Sequence, residues 1–445
     1  MKRIKMKNQS TKFILSLMMM SVSLSLLGQS YFAGWGLTQN NVYDARSAAM
    51  GLSRTALAQN AWSVAGNPAL IGASDGLHFA ASMLIKSMSE TRSIEAIDQF
   101  NDVVTKNVYA ANSYSHTTMA FAVDYGFKQF SFAYAWVPVH DFSYGFSEEI
   151  RNSLSSSYYN RDPLAGYHIF EMNGQVYAHT LGASMNIKSL SIGLSMAKYA
   201  AKDMSILKSV SVLSTDAALA SATSYSDLTS YELDNATLGT NLGLSYKLTH
   251  HTSLHYVFEK IGDMSFLSDG LIPYADSTKH YPEYFKLDSS AVYTISTPAT
   301  HRMGISFSPG QKEKTIVNFE MELHKAQSIT YAETINGLDA FDYALEDYAV
   351  FRAGFEHWAS PTLPFRLGYS YEESPIDKAF SITRFSVGGS LIVDQFQFDL
   401  GANMMSVGYE YPDIFPKVAE ANNPGLESVN ESSTNLYLTV NYRLP

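Results

Sequence analysis

From residue 77 to the C-terminus the chain returns to one pattern, stretches of about ten residues in which every second side chain is apolar. In the last stretch Leu436, Leu438, Val440, Tyr442 and Leu444 alternate with Asn435, Tyr437, Thr439, Asn441 and Arg443. Phe396, Phe398, Leu400, Ala402 and Met404 alternate with Gln395, Gln397, Asp399, Gly401 and Asn403 in the same way. Successive side chains of a strand point to opposite faces, so a period of two means a sheet with one greasy and one polar side. The pattern predicts strands near 77–85, 116–126, 128–137, 177–187, 188–198, 237–248, 252–260, 298–308, 314–325, 348–358, 362–372, 380–391, 395–408 and 434–444. Fourteen is an even number, and each stretch is close to the length that crosses a bilayer at a tilt.

The links between these stretches alternate between short and long. Short ones fall at Phe127, at Ile187-Lys188, and at 249–251, 309–313, 359–361 and 392–394; long ones at 86–115, 138–176, 199–236, 261–297, 326–347, 373–379 and 409–433. A membrane barrel trims every second turn on its inner side and lets the outer loops grow. A soluble sandwich would carry charged outer faces, whereas the polar face here is mostly Ser, Thr, Asn, Gln and Gly. The expected fold class is therefore all-β, a fourteen-stranded antiparallel transmembrane barrel over residues 77–445. Tyr125, Trp136, Tyr246, Tyr369, Tyr371, Tyr409 and Tyr411 stand at strand ends, where interfacial girdles are expected.

Composition agrees. Charged residues are 16% of the chain and aromatics 13%, the reverse of a disordered sequence. The net charge of −11 with no basic block argues against nucleic acid as a partner. Without cysteine there is no disulfide, thiolate metal site or Cys nucleophile. Lys2, Arg3, Lys5, Lys7 and Lys12 precede an apolar run from Phe13 to Leu27 and the small-residue site Gly28-Gln29-Ser30, which reads as a cleaved signal peptide over 1–30. No later stretch is apolar enough for a spanning helix.

On the inward parity lie Asp124, Lys247, Glu259, Arg302, Glu320, Glu322, Arg352, Glu356, Arg366, Arg384, Asp399 and Arg443. Both signs are present, which suits ion pairing across a lumen better than ion selection. In the long links Phe142, Tyr144, Phe146, Ile169, Phe170, Phe266 and Leu267 are candidates for an external apolar docking groove, with Tyr158, Tyr159 and Leu271. His250, His251 and His255 are spaced too widely along a strand for one ion, so no metal site is expected, nor a cofactor fingerprint or catalytic constellation.

Residues 31–76 do not alternate. They carry Ala45-Arg46, Met50-Gly51, Thr55-Ala56-Leu57-Ala58 and Asn67-Pro68-Ala69-Leu70, with a short helix expected over 52–60 and a turn at Gly66-Asn67-Pro68. This order of motifs ahead of the first strand resembles the FadL-type outer-membrane superfamily, which includes long-chain fatty acid transporters and PorV/PorQ-like proteins. Gly51-Leu52 stands where that group usually has Gly-Gly, and Gln59-Asn60 where it has an Asp pair. The resemblance implies an N-terminal hatch in the lumen over 31–76, with Ala45, Arg46, Met50, Gly51, Asn67, Pro68 and Ala69 as its signature. It implies a Gram-negative outer-membrane location in contact with membrane lipid, and two roles. One is uptake of a fatty acid or other hydrophobic ligand that leaves through a gap in the barrel wall; the other is binding of secretion-system proteins in type IX export.

Overall fold

The structure, a computed structural model, describes residues 31, 42–57, 60–72, 76–100, 102–151, 164–212, 224–234, 237–274, 283–286, 289–309, 314–331, 342–415 and 426–444. The expected signal segment 1–30 lies outside the described residues, as do Tyr158 and Tyr159.

Fourteen antiparallel staves close into a barrel. In order they are β1 (Gly76–Ile97), β2 (Val103–Phe127), β3 (Phe130–Asp141, continued by Tyr144–Arg151), β4 (Leu164–Ile187) and β5 (Leu190–Val212). Next come β6 (Tyr225–Leu233 and Leu238–Lys247), β7 (Thr252–Ile261 and Met264–Ser268), β8 (Ala291–Ser296 and Thr300–Phe307) and β9 (Thr315–His324 and Ser328–Tyr331). The circuit ends with β10 (Asp342–Ala344 and Tyr348–Ser360), β11 (Leu363–Glu372), β12 (Ile382–Val393), β13 (Phe396–Pro412) and β14 (Leu426–Arg443). Each pairs with the next, and β14 returns to β1 from His78↔Arg443 to Ser93↔Ser428, so the sheet has no open edge at its closure. In hydrocarbon that closure satisfies the backbone of every spanning strand.

All fourteen predicted stretches are strands, but several run much further than the alternation predicts. The supposed long link 86–115 is mostly strand, β1 and β2 being joined by a connection at 98–102. Around its middle the outward residues Ser87, Ser89, Ser113 and Ser115 are polar, as are Ser406 and Glu410 on β13 and Lys198 and Lys202 on β5. These upper segments stand above the membrane, where lipid imposes no apolar face, so the contrast that marks a strand in sequence disappears. Below them the outward face is Phe121, Tyr125, Phe132, Leu181, Leu194, Met196, Phe385, Phe398 and Met404, all exposed. Phe121, Trp136 and Tyr177 stack on one another with centroids 5.8 and 4.5 Å apart, marking the outer interface. Tyr409 and Tyr411, expected in a girdle, are instead buried in the interior. They fall on the odd, inward parity of β13, opposite to Phe398 and Met404.

At the other end the turns are tight. Lys128, Lys188 and Asp394 each adopt a positive φ, near +54°, in two-residue connections between strands. Primed hairpin turns demand that geometry, and here it is met without glycine.

Candidate functional site: a plugged lumen and the cavity above it

Residues 42–57 and 60–72 sit inside the barrel. A five-residue helix, Ala45–Ala49, is capped by the Asp44 carboxylate, which accepts from Ser47 N at 2.9 Å. The helix predicted over 52–60 is absent among the described residues. Gly51 and Leu52 both have positive φ and break the chain there, and the following turns are short 3₁₀ segments, Ala61–Val64 and Pro68–Leu70. Asn67 caps the second through its own side chain, which also donates to Thr55 O at 2.9 Å.

Charges on the wall hold this segment in place. Glu356 on β10 accepts two bonds from Arg46, both 2.9 Å, and a third from Arg366 at 2.6 Å; Arg366 reaches on to Asp399 at 2.8 Å. Glu320 on β9 accepts from the backbone N–H of Arg54, Thr55 and Ala56 at 3.0, 2.9 and 2.7 Å, and from Ser53 Oγ. Arg54 pairs with Glu322 at 2.9 Å and Glu259 at 3.5 Å, while Arg302 pairs with Glu259 at 3.2 Å and donates to Gly66 O at 2.7 Å. Buried ions are tolerated only when paired in this way. Between the charges, inward-facing glycines let backbone meet backbone: a Cβ on Gly368 would lie 1.9 Å from Gly51 N, and one on Gly193 2.1 Å from Pro68 C.

Above the plug lies a cavity of about 200 Å³. Its apolar lining includes Leu52, Leu84, Met88, Met405 and Val407, and its polar lining includes Lys86, His116, Glu322, Arg352, Glu372, Arg384, Asn403 and Asn435. The charges there face opposite ones. Arg352 meets Glu322 at 2.7 Å, Arg384 meets Glu372, and Lys86 stands 4.0 Å from Asp141. Higher still the lumen is closed by rings. Tyr31 packs among Tyr144, Phe170, Tyr284 and Tyr411 with centroids 5.5–5.9 Å apart.

Of the twelve charged residues predicted to face inward, Lys247 and Arg443 are exposed near the tight-turn ends of β6 and β14, below the plug. The other ten are buried or half-buried; Asp124 sits 2.9 Å from His78. The expected external groove is not external. Phe142, Tyr144, Phe146, Phe170, Phe266 and Leu271 are buried in the ring cluster and its surroundings, with Ile169 and Leu267 half-buried beside them. Their segments are strand extensions or adjoin them, so alternate side chains enter the lumen. His255 is buried against Ser306 at 3.0 Å, and the described residues contain no group of His, Asp and Glu fit for a metal.

Among the described residues the wall is weakest at one seam. The β2–β3 ladder stops at Phe121↔Trp136, although both strands continue well above it. There Asn112 Oδ1 of β2 accepts from Ser147 N of β3 at 3.0 Å, and His116 of β2 reaches past β3 to Gln175 of β4. A cleft of about 610 Å³ lies outside, lined by Ser113, Ser115, Ser143, Asn173, Gln175, Lys202 and Asp203 among others, and it shares His116 with the lumen cavity.

No protein-family model matches the chain, and neither does any curated protein sequence. Solved structures do. A Pseudomonas aeruginosa FadL homologue aligns with TM-score 0.60 and 10% identity over 91% of this chain and 99% of its own. The P. putida toluene transporter TodX aligns with TM-score 0.59 and 15% identity, and the Ralstonia pickettii toluene transporter TbuX with 0.54 and 16%, each over 91% of this chain and 99% of the neighbour. The fold is that of the FadL-type barrels.

Proposed function

We propose that the protein is an outer-membrane channel, exported by cleavage of its first thirty residues, that admits small hydrophobic molecules. The observation that carries this reading is the cavity above the plug, enclosed in a barrel whose outer face is greasy. At about 200 Å³ it suits a single-ring compound; an apolar cavity of ~150 Å³ already accepts benzene. A long acyl chain would need more room. Solved barrels of the same fold include toluene transporters, which supports the same ligand size. The secretion role has no counterpart among the structural neighbours described above.

The lateral route of this reading is the β2–β3 seam. It lies at and above the stacked aromatics of the outer interface, and its lining mixes polar groups with Tyr114, Phe146, Met172 and Tyr177. Uptake of labelled toluene by cells making the chain is expected to exceed that of cells without it several-fold. Equal rates would refute the channel.

A further inference from the structure

On the lipid face of β3–β5 two basic side chains crown an apolar furrow. Phe132, Ala183 and Leu194 are register partners in successive strands, and all three face outward. The alanine methyl between a phenyl ring and a leucine leaves a hollow. With Leu181 and Met196 in the next row above, it forms a groove of about 760 Å³. One row higher stand His179 and Lys198, register partners of each other, and His179 is also the partner of Trp136. Trp136 stacks on Phe121 and Tyr177 at the outer interface, so the two basic groups lie where headgroups begin. His179 is exposed, and its Nδ1 meets the Tyr134 hydroxyl at 2.9 Å. With the tyrosine proton on Nδ1, Nε2 carries the ring's own proton and donates elsewhere. Lys198 is exposed and pairs with no acid among the described residues, whereas Lys202 stands 3.7 Å from Asp203. Asp124, the acid among the groove's lining residues, is turned inward to His78 at 2.9 Å.

We infer that this furrow docks a phosphorylated glycolipid of the outer leaflet, lipid A in its simplest form. A phosphate accepts from Lys198 and from His179 Nε2, and an acyl chain lies over Ala183 between Phe132 and Leu194. Charge and position together choose this occupant. A lysine beside a histidine at the edge of hydrocarbon calls for an anion, and the groove below them calls for an anion that brings its own chain. A zwitterionic lipid would carry a second cation to Lys198, and a free phosphate would leave the furrow unfilled. The Tyr–His pairing recurs between Tyr256 and His301 at 2.8 Å, but His301 has Phe258 and Leu323 as register partners, and Lys260 of β7 donates to Thr297 O at 2.7 Å. That second pair therefore lacks the lysine and serves as an internal control. The inference rests on the outer-membrane placement of the barrel and is independent of what the channel carries.

The test titrates lipid A, and separately phosphatidylglycerol, onto the full chain purified in detergent, with the lipid-bearing fraction read by native mass spectrometry. Lipid A is expected to bind at least three-fold more tightly than phosphatidylglycerol. Lys198→Ala and His179→Ala should each weaken lipid A binding about five-fold, the share of one basic group at an anionic surface. Lys198→Arg should retain it, and His301→Ala should leave it as it was. Ala183→Phe fills the furrow without touching a charge and should also weaken binding about five-fold; if that variant fails to fold, Ala183→Leu gives the same comparison. Phosphatidylglycerol bound as tightly as lipid A would overturn the glycolipid assignment. Lipid A binding indifferent to Lys198 and His179, indifferent to a filled furrow, or lost equally in His301→Ala would overturn the site.

Discussion

Glu356 shows how single residues hold this interior together. Its carboxylate serves one arginine from the plug and one from the wall. Glu356→Ala should cost about 3–5 kcal/mol, because it leaves the buried Arg366 guanidinium and the half-buried Arg46 guanidinium short of a partner. Lys247→Ala, at an exposed position, should stay within about 0.5 kcal/mol. Denaturant unfolding in detergent measures both, and similar losses would contradict the pairing. The buried charges were legible from strand parity alone: Glu320, Glu322, Glu356 and Arg366 sit on the polar face of alternating stretches. Their partners were not, since Arg46 and Arg54 lie in a segment without periodicity. His179 and Lys198 were legible only as two polar positions; that they stand side by side follows from a register no single strand reveals.

At the scale of elements, lipid writes a strand into sequence more clearly than water does. The stretches from Phe121 to Phe127 and from Phe396 to Met404 read at once because hydrocarbon forces their outward residues to be apolar. Ser113–Thr117 and Ser428–Thr434 do not, because polar residues face outward there. The aromatic residues of the upper lumen were misplaced for the same reason. A strand taken for a loop leaves its inward side chains with no assigned face. The seam makes its own prediction. The chain has no cysteine, so Asn112→Cys with Ser147→Cys offers a unique pair for a short thiol cross-linker. Joining them should slow uptake at least ten-fold relative to the same preparation before treatment. Undiminished uptake would show that ligands take another path.

For the whole molecule, the question is how firmly the plug is seated. Gly368→Val and Gly193→Val place side chains where plug backbone now lies, and no rotamer avoids the contact. Each should raise single-channel conductance in planar bilayers well above the parent level, while Gly145→Ala, whose Cβ would meet only the Tyr114 ring at 3.7 Å, should not. Variants as tightly shut as the parent would mean that the plug yields without leaving.

The embedded position of residues 42–57 and 60–72 also constrains how the protein is made. They precede β1 in the chain, yet strands from the first to the last surround them, and Ala45 N donates to Thr439 Oγ1 on the final strand. A finished cylinder offers no way to thread them in past the tight hairpins. The segment has to be waiting inside while the curling sheet is still unzipped between its first and last strands. Insertion into the membrane is then also an act of enclosure, and the order of synthesis supplies the contents before the container.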